Sequence, residues 1–147
     1  MPPLSTAAAE SFLAQRHWGA LVTLKSSDGR PQISNVAYAL LDGRIRVSVT
    51  DSRAKTANVR RDPRVSLYVT SDDFWTYVVA EGDAQLSALA TQPGDETCRR
   101  LLELNEAATG HPHSDPDEFF EAMVADHRLE LSFAINNLYP TLSVQRR

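Results

Sequence analysis

The chain has 147 residues, a formal net charge of −4, and 42% hydrophobic and 23% charged residues, an ordinary globular composition for which we expect residues 1–147 to form one domain. The acidic balance argues against a general nucleic-acid binder, and no apolar run approaches the ~20 residues that a membrane helix needs. An N-terminus without a basic signal segment, together with a single cysteine, Cys98, leads us to expect a cytoplasmic protein.

The first part of the chain is predicted to form one helix, three strands and a second, short helix. Ser5 or Thr6 can cap a helix that ends near Arg16. Apolar and β-branched alternation predicts strands at 18–25, at 30–41 with a bulge, and at 44–50. Asp42-Gly43 is a hairpin signal between the last two strands, and the basic helix that follows stops at Pro63.

The rest of the chain is predicted to form three strands and two helices. The strands are expected at 64–70, at 74–89 as one long strand or a bent pair, and at 128–135. The helices are expected at 95–108 and 116–127, and Pro140 should interrupt any later strand. Six strands with only peripheral helices predict a mainly β fold that closes into an antiparallel β-barrel, since closure removes exposed strand edges.

Positive charge is concentrated where the strand 44–50 passes into the basic helix. Residues 53–64 carry a local charge of +4, from the cations Arg53, Lys55, Arg60, Arg61 and Arg64 against the single anion Asp62. The first turn of a helix has unpaired N–H groups and the positive end of the helix dipole, which favour a bound anion such as phosphate. Arg53 and Lys55 lie in that turn beside the neutral donors Thr56 and Asn58, whereas the later arginines are also consistent with a solvated helix face.

Two further groups have both a structural and a functional interpretation. Trp75 and Tyr77 share one face of a strand, where they can pack in the core or clamp a flat ring or a partner chain. Gln32, Ser34 and Asn35 are polar groups in an otherwise apolar strand, and edge solvation explains them as well as ligand recognition does.

The sequence gives little support for metal or nucleophilic chemistry. His111 and His113 have no third ligand at a recognisable spacing, so no metal site is predicted. Cys98 lies within a predicted helix without an evident histidine partner, which favours a structural thiol. Phosphate loops, dinucleotide fingerprints and the Gly-x-Ser-x-Gly motif are absent from the sequence, and no catalytic side chain is identified.

Three segments carry a resemblance to a known family. They are Gly29-Arg-Pro-Gln-Ile-Ser-Asn-Val36, Ser52-Arg-Ala-Lys-Thr-Ala-Asn-Val-Arg-Arg-Asp-Pro63 and Trp75-Thr-Tyr-Val-Val-Ala-Glu-Gly82. Together they resemble the pyridoxamine 5′-phosphate oxidase-like family, with its six-stranded, FMN-binding-protein-like split β-barrel. More narrowly, they are similar to the actinobacterial flavin/deazaflavin oxidoreductases that bind coenzyme F420, over a range from Trp18 to about Ile135.

The resemblance implies a homodimer with two cofactor sites at the subunit interface. In this chain the phosphate and acidic tail would be held by Arg53, Lys55, Thr56 and Asn58. The deazaflavin ring would be lined by Ser48, Val49 and Thr50, with Gln32 and Ser34 near its edge and Trp75 and Tyr77 from the other subunit.

The implied function is an F420-dependent oxidoreductase that transfers a hydride between the deazaflavin and a small conjugated acceptor. Coenzyme F420 carries a phosphodiester and an oligoglutamate tail, so a basic helix start followed by further arginines suits it better than it suits a single phosphate. Because the cofactor carries the hydride chemistry, a catalytic side chain is not required. The alternatives are an FMN-dependent relative on the same fold and a non-catalytic carrier of F420 or a tetrapyrrole.

Overall fold

A computed structural model describes residues 4–140, which form four helices and nine strands. The helices are α1 (Thr6–Ala14), α2 (Ala54–Arg61), α3 (Glu96–Thr109) and α4 (Pro116–Ala125). The strands are β1 (Trp18–Leu24), β2 (Pro31–Ala37), β3 (Ala39–Leu41), β4 (Arg44–Thr50), β5 (Arg64–Thr70), β6 (Tyr77–Asp83), β7 (Gln85–Leu86), β8 (Arg128–Ala134) and β9 (Asn137–Tyr139). No helix in the described part of the chain is long and apolar enough to cross a membrane.

The strands form two antiparallel sheets. The five-stranded sheet has the order β2-β1-β5-β6-β9, and the four-stranded sheet has the order β3-β4-β8-β7. The prediction of a mainly β, antiparallel fold with a few helices is therefore confirmed. The predicted count of six strands is wrong for residues 4–140, and the strands in this range are divided between two sheets instead of closing into one barrel.

Two predicted long strands account for most of this difference, because each breaks and continues in the other sheet. The segment 30–41 breaks at Tyr38, whose N–H donates to the carbonyl of His17 and whose buried hydroxyl donates a 2.7 Å hydrogen bond to the carbonyl of Leu13. The segment 74–89 begins its ladder only at Tyr77 and breaks at Ala84, whose N–H donates to the carbonyl of Pro63. Strand β9 was not predicted; it ends at the residue before Pro140, so the ladder within it needs no N–H from the proline.

The inner faces of the two sheets pack on each other and form the main core. Leu21, Leu67 and Val78 of the five-stranded sheet lie in one cluster with Val47 and Leu131 of the four-stranded sheet. The sheets approach closely where β6 passes β8: a Cβ placed on Gly82 would overlap the carbonyl oxygen of Ala134. Glycine at this position therefore allows the two backbones to meet.

Helices α3 and α4 cover the other face of the four-stranded sheet, and a buried ion network fastens α3 to it. Arg46 of β4 and Glu130 of β8 are 3% and 2% exposed, and the Arg46 Nε donates a 2.8 Å hydrogen bond to Glu130. Arg100 of α3 donates to the other carboxylate oxygen of Glu130 at 2.7 Å, and Arg46 also binds Glu103 at 2.7 Å. The carboxylate of Glu130 is thus shared by two guanidinium groups, which satisfies buried charges that would otherwise be costly.

Candidate anion-binding site

A polar cleft of about 530 Å³ opens where β4 ends and α2 begins. Its walls come from β2, β4, the start of α2 and the start of β8. The lining residues are Ser34, Asn35, Val36, Ala37, Ser48, Val49, Thr50, Arg53, Lys55 and Arg128. We call this space the anion cleft.

Three cations and no carboxylate line the anion cleft. Arg53 and Lys55 come from the start of α2, and Arg128 is the first residue of β8. Partial burial lowers the pKa of Lys55, and the positive charges of Arg53 and Arg128 lower it further. Like charges held together in this way favour a bound anion, which would relieve their repulsion.

Two buried polar atoms at the cleft have no hydrogen-bond partner within residues 4–140. They are the hydroxyl oxygen of Thr50 and the Nε of Arg128, whose residues face each other in the β4–β8 register. The nearest carboxylate oxygen to that Nε, from Asp126, is 3.9 Å away and too far for a hydrogen bond. An unsatisfied buried polar group costs about 1–3 kcal/mol, so both atoms are suited to a ligand that accepts hydrogen bonds.

The start of α2 also leaves hydrogen-bond donors for a ligand. Ser5, Asp95 and Asp115 cap the other three helices with their side chains, whereas Arg53 at the N-cap of α2 makes no side-chain cap. The Thr56 N–H donates to the carbonyl of Arg53 at 3.1 Å, whereas the N–H groups before it in the first turn have no partner inside the helix, and the helix dipole adds positive potential there. The backbone thus reinforces the charge that the side chains supply.

Three residues that the sequence predicts as ligands are engaged by the chain itself. The Thr56 hydroxyl donates a 2.7 Å hydrogen bond to the carbonyl of Thr50. The Asn58 amide donates to Thr23 at 3.1 Å and to the Gln32 side chain at 3.0 Å. These contacts hold α2 against β1, β2 and β4, so the structure gives Thr56, Asn58 and Gln32 positioning roles; direct contact of these residues with a cofactor stays a prediction.

The remaining arginines of the basic segment have partners away from the cleft. Arg60 pairs with Asp51, and Arg61 donates to the carbonyl of Leu24. Arg64 binds Asp62 at 2.7 Å, which lowers the pKa of Asp62 to about 2. Of the five cations that the sequence groups together, Arg53 and Lys55 line the cleft, and a distant residue, Arg128, joins them.

Arg128 was not singled out by the sequence analysis. It stands at the start of a strand that was predicted correctly, but its neighbourhood depends on the pairing of β8 with β4. The sequence does contain one indication of this contact. Thr50 is the polar last residue of one strand with alternating polarity and Arg128 is the polar first residue of another, so antiparallel pairing of the two strands places them opposite each other.

A comparison with protein families fits this architecture. The family model described as pyridoxamine 5′-phosphate oxidase matches residues 5–129, most of the chain. The chain belongs to the pyridoxamine 5′-phosphate oxidase family.

Solved structures of similar fold agree with this assignment. A conserved hypothetical protein of Mycobacterium tuberculosis is 25% identical with a TM-score of 0.73, over 92% of this chain and 82% of that one. A protein named an F420 reductase is 22% identical with a TM-score of 0.67, over 94% and 98% of the two chains. A FAD-binding protein of Mesorhizobium loti is 19% identical with a TM-score of 0.61, over 92% of each chain.

In this family member, the predicted aromatic pair lies outside the cleft of its own chain. Trp75 is 76% exposed in the turn before β6, and Tyr77 is exposed at the first position of that strand. The ring of Tyr77 lies 5.5 Å from that of Tyr68, on the outer face of the five-stranded sheet. The interpretation of Trp75 and Tyr77 as core residues is therefore wrong, and their contribution to a second subunit's site stays a prediction.

A smaller cavity of about 230 Å³ adjoins the anion cleft beneath α3 and α4. The two spaces share Ala37, Ser48 and Arg128. The other residues that line the smaller cavity are Leu101, Leu104, Asn105, Ala108, Phe119 and Met123. We call it the helical chamber; unlike the anion cleft, it is mostly apolar.

Proposed function

We propose that the protein is an oxidoreductase that binds a phosphate-bearing flavin-type cofactor, coenzyme F420 in preference to FMN, in the anion cleft. The observation that carries this proposal is the convergence of Arg53, Lys55 and Arg128 on a cleft without carboxylates. The unpartnered atoms of Thr50 and Arg128 fit the oxygen-rich phosphate of such a cofactor. Membership of a family named for an oxidase supports the class of reaction.

The residues of the cleft divide naturally between the two ends of the cofactor. Arg53, Lys55 and Arg128 would hold the phosphate, with the Thr50 hydroxyl donating to it. The less charged wall of the cleft would hold the ring system, with Ser34, Ser48 and Val49 along it. When bound, the cofactor supplies the hydride chemistry, while this chain binds it, orients it and excludes water from the reacting face.

The choice of F420 over FMN follows from charge. Three cations, one uncapped helix start and the unpartnered hydroxyl of Thr50 exceed what one phosphate group requires, and F420 brings further carboxylates in its tail. The similarity to a protein named an F420 reductase supports the same choice, whereas the similarity to a FAD-binding protein keeps FMN as the alternative. Arg60 and Arg64 are paired with Asp51 and Asp62. A preference for a cofactor with an acidic tail must therefore come mainly from the cations of the cleft itself.

Cofactor choice is tested by purifying the protein gently and measuring the absorbance and mass of any retained cofactor. Calorimetric titration with F420 and with FMN at equal ionic strength then compares the two affinities. We expect F420 to bind more tightly, with an advantage that shrinks as salt rises, since the Debye length falls to about 3 Å at 1 M. Tighter binding of FMN under matched conditions would refute the choice of F420.

Turnover separates an enzyme from a carrier. We expect reduced F420 to be oxidised faster when protein and a conjugated enone or quinone are both present than when either is omitted. Stoichiometric binding of F420 without turnover across a broad acceptor panel would favour the non-catalytic carrier instead.

We also propose that a second copy of the chain covers the outer face of the five-stranded sheet. One row of this face crosses all five strands through Asn35, Ala20, Tyr68, Val79 and Tyr139. Large exposed side chains extend the same surface at Trp18 (81% exposed), Ile33 and Tyr77, and Trp75 is exposed in the turn before β6. An apolar surface of this kind is typical of an interface. Strand β2 links it to the cleft, because β2 carries Ile33 on the face and Ser34 in the cleft wall, so a covering copy would border the cofactor site.

Hybrid dimers test whether the sites are shared between subunits. Lys55→Ala and Trp75→Ala should each weaken cofactor binding in homodimers. If Trp75 acts on the neighbour's site, a dimer with one mutation on each chain has one site with both defects and one intact site. About half of the sites in the hybrid dimers should then be restored. Absence of rescue, or full binding by a stable monomer, would contradict a shared site.

A further inference from the structure

The chemical contrast between the two joined cavities points to separate occupants. Apart from the three residues shared with the anion cleft, the helical chamber is lined by five apolar or small residues and by Asn105. Asp, Glu and Lys are absent from its lining, so it offers no partner for a buried charge away from the shared edge. A charged cofactor therefore suits the cleft, and a neutral molecule suits the chamber.

Two polar groups in the chamber have no assigned contact. Within residues 4–140, no hydrogen bond engages the side-chain amide of Asn105 or the hydroxyl of Ser48, although both residues are half-buried. In an apolar pocket, a small number of polar groups commonly fixes the orientation of a bound molecule. Asn105 lines the chamber but not the cleft, whereas Ser48 lines both. Asn105 can therefore contact a molecule in the chamber without contacting one in the cleft.

We infer that the helical chamber binds the hydride acceptor and that the acceptor is a neutral, compact ring compound whose conjugated carbonyl accepts a hydrogen bond from Asn105. This inference rests on the proposed function. The chamber volume of about 230 Å³ equals roughly eight water volumes at ~30 Å³ each, which suits a one- or two-ring compound better than a large tetrapyrrole.

The reduction would require a hydride from the bound cofactor, a hydrogen bond from Asn105 and a proton from solvent. A reduced cofactor held in the anion cleft would supply a hydride to the β-carbon of the acceptor. The C=C electron pair would then form the enolate double bond to the carbonyl carbon, and the C=O π pair would move onto the carbonyl oxygen. The Asn105 N–H donates to that oxygen as negative charge develops on it. A proton that enters from solvent after the hydride transfer would add to the α-carbon, so the acceptor would gain two hydrogens and the cofactor would give up two electrons.

The chain offers a specific probe of the chamber, because Met1 and Met123 are its only methionines and Met123 lines the chamber. Protein labelled with ¹³C-methyl methionine, without cofactor, is titrated with coumarin, a neutral two-ring conjugated lactone. Naphthalene provides the matched two-ring probe that lacks the carbonyl. We expect both to shift the Met123 methyl signal, which is assigned from its loss in Met123→Leu.

Three variants sharpen the test. Asn105→Leu has similar size without hydrogen-bonding groups, so it should weaken coumarin binding about two- to tenfold and leave naphthalene binding unchanged. Ala108→Leu should fill the chamber and abolish both shifts. Ala122→Leu makes the same change at an exposed position of α4 and should leave both affinities unaltered.

The inference is overturned if neither probe shifts Met123 in the wild-type protein, whether or not the variants fold. Equal coumarin affinity in Asn105→Leu and wild type would overturn the role of Asn105. These titrations contain no cofactor, so their outcome does not depend on cofactor binding in the anion cleft. The proposed function is tested separately, by the titrations with F420 and FMN.

Discussion

Replacing Lys55 by methionine should weaken cofactor binding and stabilise the cofactor-free protein. Both effects have the same origin, since Lys55 is partly buried beside Arg53 and Arg128 and its pKa is lowered by burial and by those two charges. Methionine keeps an unbranched apolar stem of similar length while removing the charge. Lys25, the other lysine of the chain, is exposed, so Lys25→Met is the matched control.

The size of each effect follows from the surroundings of Lys55. A hydrogen bond to a charged group contributes about 1.5–3 kcal/mol, so its loss should raise the Kd for F420 or FMN by roughly 10- to 150-fold. Relief of like-charge repulsion at a partly exposed site should contribute at most about 1 kcal/mol to folding. In a chain of this length that gain corresponds to a rise in Tm of about 2–4 °C.

Calorimetric titration and thermal denaturation measure the two effects on the same preparations. A lysine that merely supports the fold would lower Tm when replaced and would leave the Kd unchanged. Either of those results in Lys55→Met would refute the assignment of Lys55 to an anion site. Lys25→Met should change neither quantity, and the difference in Kd between wild type and Lys55→Met should narrow in 1 M salt.

Three further predictions concern neighbouring charges. Arg128→Gln should weaken cofactor binding by a factor similar to that of Lys55→Met, measured by the same titration, because it removes both a charge and an unpartnered donor. Glu130→Gln should lower the free energy of unfolding by about 1.5–3 kcal/mol in urea denaturation, because it removes the charge-assisted hydrogen bonds that Arg46 and Arg100 donate to the carboxylate, while Arg46 keeps its pair with Glu103. In the cofactor-free protein the pKa of Lys55 in the folded state lies below its ordinary value of 10.5. Between the folded-state and the unfolded-state pKa the unfolded chain binds more protons, so the contribution of Lys55 to the free energy of unfolding should rise with pH in that range. A bound anion should raise that pKa, which NMR of ¹³C-dimethylated Lys25 and Lys55 can follow.

The fold was predictable where the signal is local. Alternation over seven residues predicted β1, β4, β5 and β8 within one or two residues, and Asp95 and Pro116 marked the starts of α3 and α4. The strands that were missed or merged are β3, β7 and β9, of three, two and three residues. Strands this short have too little pattern to detect, because their pairing depends on neighbours that are distant in sequence.

The same distinction holds for the candidate site. Arg53 and Lys55 could be predicted because a strand end followed by a helix start is visible in the sequence itself. Arg128 could not be, since it reaches the site only through the pairing of two strands that are far apart along the chain. Nor does the sequence show that Arg60 has Asp51 as a partner, which is a matter of side-chain placement.

The paired strands β4 and β8 explain how the anion cleft keeps its positive charge in an acidic protein. Glu130 lies two residues from Arg128 on the same face of β8, so an unengaged carboxylate there would reduce the positive charge at Arg128. Both of its oxygens are instead occupied, one by Arg46 and the other by Arg100. The buried network therefore does more than fasten α3 to the sheet. By engaging the nearest buried carboxylate on that strand, it leaves Arg128 available for a ligand, and the stability of the fold and the charge of the site depend on the same side chain.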